Sequence, residues 1–151
     1  MASPLKPFAK PVDISSDDRG TFVPFLDHAD ALGEQPGSAI KRIYYVYDYG
    51  AGVIRGFHYH RQEWKYFVIV SGAAKFVALD PDHADEKYSF VSSARKPTLI
   101  VIPPGYANGW ISLEPGTILV CGSTSSFEES IKDDKRFDPY AWGDLWTVKG
   151  R

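Results

Sequence analysis

Two short segments of the 151-residue chain concentrate the side chains that can do chemistry. The first runs Arg55-Gly-Phe-His58-Tyr-His60-Arg-Gln-Glu63-Trp-Lys65, and its apolar continuation stops at Gly72. The second is Ile102-Pro-Pro-Gly-Tyr-Ala-Asn108-Gly-Trp110. Histidines two apart on a strand project to the same face of a sheet. Such a pair can ligate a metal, with Glu63 as a further donor, or move a proton near neutral pH. Lys65 argues against the metal, because an ammonium has no lone pair and repels a divalent cation. Two imidazoles beside Arg55 and Lys65 describe a pocket that binds an anion and moves a proton. Removing a proton next to a carbonyl is chemistry of that kind. Histidine serves as general base and a cation meets the developing enolate oxygen.

The elements that must position these groups read as short strands. The segments 40–50, 53–60, 65–72, 73–80, 87–93, 97–105, 108–116 and 117–123 are rich in β-branched and aromatic residues. Gly, Pro, Asn and Asp separate them at short intervals, which is the pattern of an all-β sandwich or barrel. A brief strand TFVPF follows the turn DDRGTF (17–22), and the loop 27–37 has room for one helical turn. Residues 128–136 suit one or two helical turns, and the aromatic tail FDPYAWGDLWTV is expected to dock on the body. The chain reads as a single domain over 1–151, with an N-terminal arm to about residue 37 and a docked tail from about 124. A formal net charge of −2 lacks the basic excess that nucleic acids or membrane surfaces select. No leader or membrane span is recognised in the sequence, and the expected location is the cytoplasm. The single cysteine, Cys121, forms no intrachain disulfide and reads as a small buried hydrophobe.

The paired segments resemble the two motifs of the cupins, small jelly-roll barrels (double-stranded β-helices) with G…HxH…E…G and PxG…H patterns. Metal-binding cupins ligate through three histidines and a glutamate. Here Lys65 stands at the glutamate position and Asn108 at the second-motif histidine, so no metal or other cofactor is expected. The likeness narrows to the dTDP-4-dehydrorhamnose 3,5-epimerase and dTDP-sugar 3,4-ketoisomerase superfamily. DDRGTF resembles its nucleotide-binding segment, RGFHYH its base motif, IPPGYANGW its Pro-Gly motif, and RFDPYAWGDLW its tail. The resemblance implies His58 as base oriented by Asp138, with Lys65 and Arg55 on the enolate and His60 returning a proton. It implies Arg19 and Phe22 on the nucleotide, partly across a homodimer. Asn108 and Phe127 would line the substrate site.

Phe127 stands where the 3,5-epimerases carry a proton-donating tyrosine. A phenyl ring has no proton to give, so the acid would be Tyr106 or one of Tyr44, Tyr45 and Tyr47, or only one centre would change. The implied substrate is a dTDP-linked 4-keto-6-deoxyhexose, either epimerised or shifted from 4-keto to 3-keto. Two other classes stay open: a metal-dependent cupin using His58, His60 and Glu63, and a nucleotide-sugar binder without activity. Beside these, the tyrosine stripe 44–49 reads as sandwich core. His28 and His83 read as solvated, as does the acidic stretch from Glu128 to Asp134.

Overall fold

A computed structural model describes residues 5–27 and 39–151. Two five-stranded antiparallel sheets face each other. The first has the order β1-β9-β6-β11-β4, built from Phe8–Pro11, Thr98–Ile102, Lys65–Ser71, Thr117–Ser123 and Arg42–Asp48. The second has the order β12-β5-β10-β7-β8, built from Lys135–Arg136, Ile54–Tyr59, Ala107–Ser112, Ala73–Leu79 and Lys87–Ser93. A separate hairpin pairs β2 (Ser15–Asp17) with β3 (Gly20–Phe22), and one helix, α1, spans Phe127–Lys132. This is the expected jelly roll, and its central strands are the expected ones, while β1 in the arm, β2 before the 17–22 turn and β12 within the stretch 128–136, read as helical, were not foreseen as strands. The loop expected over 27–37, and His28 within it, lies outside the described residues apart from Asp27.

Three apolar layers explain why so many strands read as unbroken hydrophobic runs. Between the sheets lie Phe67, Ile69, Phe76, Ile100, Trp110 and Leu119. Behind the first sheet, Val12, Phe25, Leu26 and Ile40 cover Tyr66, Leu99 and Val101. Behind the second, the tail lays Phe137, Trp142, Leu145 and fully buried Trp146 on Phe57, Val77 and Leu79. Strands buried on both faces lose polar alternation. The docked tail is thus part of the core, while the arm contributes β1 to a sheet edge. Among the described residues no helix is long and apolar enough to cross a membrane.

Strand β4 keeps its alternation. Arg42, Tyr44, Val46 and Asp48 turn inward, while Ile43, Tyr45 and Tyr47 are exposed. The tyrosine stripe is therefore core only at Tyr44. Cys121 is fully buried, as its apolar run implies.

Candidate active site

The two sheets part at one end around a cavity of about 260 Å³. Strand β4 lends it Arg42, Tyr44 and Val46, β5 lends Arg55 and His58, and Lys65 opens β6. Asn108 and Trp110 come from β10, Phe127, Ser130 and Ile131 from α1, and Asp134 and Arg136 from the start of β12.

Arg55 and His58 are three apart, so simple alternation would send them to opposite faces. A bulge brings them together. Asn108 pairs with His58 and Trp110 with Arg55, so Gly56 and Phe57 of β5 oppose the single Gly109 of β10. The bulge depends on close backbone contact between two glycines. A Cβ on Gly56 would lie 2.7 Å from Gly109 Cα, and one on Gly109 would lie 2.6 Å from the Arg55 carbonyl oxygen. No side chain fits at either position.

The carboxylate beside His58 is that of Asp134, with Oδ1 3.4 Å from His58 Nδ1. Strand β12 puts it there by pairing Arg136 with His58 and Lys135 with Tyr59. Arg136 holds the other oxygen, donating from Nε to Asp134 Oδ2 at 2.9 Å. Asp138 does not reach the histidine. It is exposed and accepts a hydrogen bond from the Tyr140 amide at 2.8 Å, closing a turn. The expected His58–Asp138 pair is thus corrected to His58–Asp134, and the stretch from Glu128 to Asp134 is not wholly a solvated surface. An aspartate followed by an arginine two residues on, at the entry to a strand, was the available signal.

Burial lowers the pKa of His58, and Lys65 lowers it further against the opposing pull of Asp134. His58 is accordingly neutral at pH 7. Its Nδ1–H points to Asp134, which leaves Nε2 as the basic nitrogen. For Asp134, burial opposes ionisation, but the bonds from Arg136 and His58 outweigh it and hold the carboxyl below its usual range. Lys65 is 7% exposed, and among the described residues it makes no ion pair. Burial lowers its pKa, while Glu63 works in the opposite direction. The result is a desolvated ammonium on the cavity wall, suited to an oxygen that gains negative charge. Arg55 is tied to Asp48, with Nε 2.7 Å from Oδ1.

His60 is buried deeper, and its Nε2 lies 3.0 Å from Glu63 Oε2. Glu63 also accepts from Arg42 at 3.0 Å, from Ser130 at 3.1 Å and from Ser123. Arg42, Ser123 and Ser130 were not singled out in the sequence, since a lone serine or arginine carries no local signal. The glutamate that a metal site would need is therefore committed to three protein donors. Among the described residues, no group of three or more His, Cys, Asp or Glu side chains is arranged to hold a metal ion.

Asn108 lines the cavity, but its amide donates to the carbonyls of His58 and Tyr106, each at 3.1 Å. It braces the β5–β10 junction. Phe127 begins α1 at the rim, after Ser126 has capped the helix in a reciprocal box with Glu129. Of the four tyrosines considered as acids, Tyr44 alone lines the cavity, and burial raises its pKa. Arg19 and Phe22 sit outside this cavity on the β2–β3 hairpin, 87% exposed at the Arg19 side chain and 69% at Phe22. Arg19 is paired with Asp17. His83 is largely exposed and hydrogen-bonded to Asp80 at 3.0 Å.

This fold has known counterparts. The chain is similar to ChmJ, a 3'-monoepimerase from Streptomyces bikiniensis solved with dTDP-quinovose. The identity is 19%, the TM-score 0.78, and the match covers 96% of this chain and 79% of that one. It is also similar to QdtA, a sugar 3,4-ketoisomerase from Thermoanaerobacterium thermosaccharolyticum solved with TDP. There the identity is 18%, the TM-score 0.72, and coverage 89% and 90%. At those identities the likeness is one of fold. In sequence, the chain is 29% identical over 143 residues to the spore coat polysaccharide biosynthesis protein SpsL of Bacillus subtilis (strain 168), covering 90% of this chain and 91% of that protein. The FdtA family model, described as WxcM-like, C-terminal, matches residues 12–142 and so takes in the hairpin, every sheet strand but β1 and most of the tail; the chain belongs to that family.

Proposed function

We propose that the protein is an isomerase of a dTDP-linked 4-keto-6-deoxyhexose that moves one proton beside the C4 ketone. The observation that carries this reading is one cavity holding a neutral histidine, His58, backed by Asp134, together with the desolvated ammonium of Lys65. His58 Nε2 takes the proton from the carbon adjacent to the ketone. The C–H electron pair forms the enolate, and the negative charge on its oxygen is met by Lys65 and Arg55. Return of a proton to the opposite face of the same carbon gives an epimer. Return to C4, with the O3 hydroxyl proton passing to O4 as the electrons shift back, gives the 3-keto isomer. The returning proton is proposed to come from solvent relayed past His60, with His58 giving its own proton back to solvent afterwards, and Asn108 and Phe127 lie beside the sugar. The reaction is redox-neutral and draws on no metal, because the proton merely changes place.

The phenyl ring of Phe127 at the cavity rim favours chemistry at one centre over double epimerisation, since it cannot protonate a second face. The relatives support the substrate class, as ChmJ was solved with dTDP-quinovose and QdtA with TDP. A homodimer is part of the proposal. The β2–β3 hairpin exposes Phe22 and Arg19, and an isolated two-stranded hairpin is marginal without something to pack on. In a dimer these two residues hold the nucleotide of the partner's site. The cytoplasm is the proposed setting.

The test is incubation of the purified protein with dTDP-4-keto-6-deoxyglucose in D₂O, followed by NMR. Deuterium at C3 of an epimer, or at C4 of a 3-keto product, without deuterium at C5 is the expected result. A bound nucleotide sugar with no exchange would replace the enzyme with a binding protein.

A further inference from the structure

Beneath the cavity lies a carboxylate that the proton transfer above does not use. The Glu63 side chain is fully buried, and three donors from three parts of the fold converge on it. At Oε1 these are Arg42 of β4, at 3.0 Å, and Ser123 of β11. At Oε2 the donor is Ser130 of α1, at 3.1 Å, with His60 Nε2 3.0 Å away. Guanidinium groups only donate and ionised carboxylates only accept, so the polarity of this network is determined. Three oxygens surround His60 Nε2: Glu63 Oε2, Ser130 Oγ at 3.3 Å and Asp134 Oδ1 at 3.5 Å. Ser130 gives its hydrogen to Glu63 Oε2, so its Oγ faces His60 Nε2 as an acceptor, while His60 Nδ1 is buried without a hydrogen-bond partner.

We propose that Glu63 is a positioning residue that locks His60 in the Nε2–H tautomer. Locked in this way, His60 keeps its N–H on Ser130 Oγ and presents no lone pair to the Asp134 oxygen 3.5 Å away, the one that faces His58 Nδ1–H. The two histidines thus hold opposite tautomers on either side of Asp134, and His58 keeps Nε2 free as the base. The same carboxylate fixes Arg42, whose guanidinium lies 5.1 Å over the Tyr44 ring and 5.9 Å over that of Phe127 at the cavity wall. This inference rests on the proposed role of His58, but its first readout does not.

Glu63→Gln tests it at nearly constant shape. Arg42 can only donate, so the amide oxygen must take the Oε1 side and the NH₂ the Oε2 side, facing His60. An amide hydrogen there drives His60 to the Nδ1–H tautomer and turns its Nε2 lone pair toward Asp134. In ¹⁵N-labelled wild-type protein, long-range ¹H–¹⁵N correlation spectra are expected to show His60 as Nε2–H. In the variant they are expected to show Nδ1–H, with unchanged strand signals reporting an intact fold. For turnover of dTDP-4-keto-6-deoxyglucose, kcat is expected to fall by about 10²-fold, the low end of what a positioned acid–base group contributes, with KM held within about threefold. An Nδ1–H tautomer in the wild type overturns the proposal, even if the variant cannot be folded or the substrate is wrong. So does a tautomer switch that leaves kcat unchanged. Wild-type protein inactive on this sugar but with His60 as Nε2–H would sink the substrate assignment and leave the tautomer lock standing.

Discussion

Replacing Asp134 by asparagine separates the two carboxylates that compete for the role of orienting His58. Transfer of a substrate proton turns His58 into an imidazolium 3.4 Å from Asp134 Oδ1. Unit charges at that distance attract by about 5 kcal/mol at an effective dielectric constant of about 20, and by about 1 kcal/mol at that of water. Asp134 retains 20% exposure and Arg136 neutralises its other oxygen, so the middle of this interval applies. About 2–3 kcal/mol corresponds to a loss of roughly 10²-fold in kcat/KM. Geometry adds to the loss. Arg136 Nε donates to Oδ2, so the asparagine oxygen settles there and the NH₂ faces His58 Nδ1, favouring the tautomer with a blocked Nε2. The pH profile carries an independent sign. Asp134 raises the His58 pKa against burial and Lys65, so its loss lowers that pKa further. A base with a lower pKa stays unprotonated to lower pH, and the acidic limb of kcat/KM moves down. The assay is initial rates of solvent deuterium incorporation into dTDP-4-keto-6-deoxyglucose across pH, with Asp138→Asn in parallel. The exposed Asp138 closes only a turn, and its variant is expected within about twofold of wild type, as for most surface changes. Near-normal rates for Asp134→Asn, or a larger loss for Asp138→Asn, would refute the assignment.

Three other outcomes follow from the same geometry. Lys65→Met is expected to lose about 10²–10³-fold in kcat through the missing enolate contact. It should also melt at the same or a higher temperature, because a buried cation without an ion pair is replaced by a flexible apolar chain. Burial depresses the Lys65 pKa, so keeping it charged at neutral pH costs folding stability; the wild type should gain stability relative to Lys65→Met as pH rises through the lysine range, read by thermal melts. Gly109→Ala drives a Cβ to 2.6 Å from the Arg55 carbonyl and 2.8 Å from Gly56 Cα, both backbone atoms. Overpacking of this kind costs about 1–3 kcal/mol, a drop in Tm of roughly 3–10 °C, and opening the bulge should separate Arg55 from His58 and abolish activity.

Much of this molecule can be read along the chain, because the forces that place it act over a few residues. Alternation in β4 turns Tyr44 inward and Tyr45 outward, and turn residues mark the ends of β6, β7 and β10. The His58-x-His60 pair, Lys65 and Asn108 all reach one cavity, since each lies in or beside a strand whose inner face is decided by its apolar neighbours. Stretches that lacked periodicity were harder to place. Asp134 and Asp138 are four residues apart and equally plausible in sequence. The pairing of Arg136 with His58, across 78 residues (136 − 58), selects the first. Arg55 joins His58 on one face because Gly56 and Gly109 let two backbones approach, a contact that no local pattern encodes. Glu63 looked like a spare metal ligand, yet Arg42, Ser123 and Ser130 arrive from distant elements to claim it. Local periodicity decides which way a side chain points. Which partner meets it there depends on strand register and close backbone approach, and those exist only once the two sheets have closed.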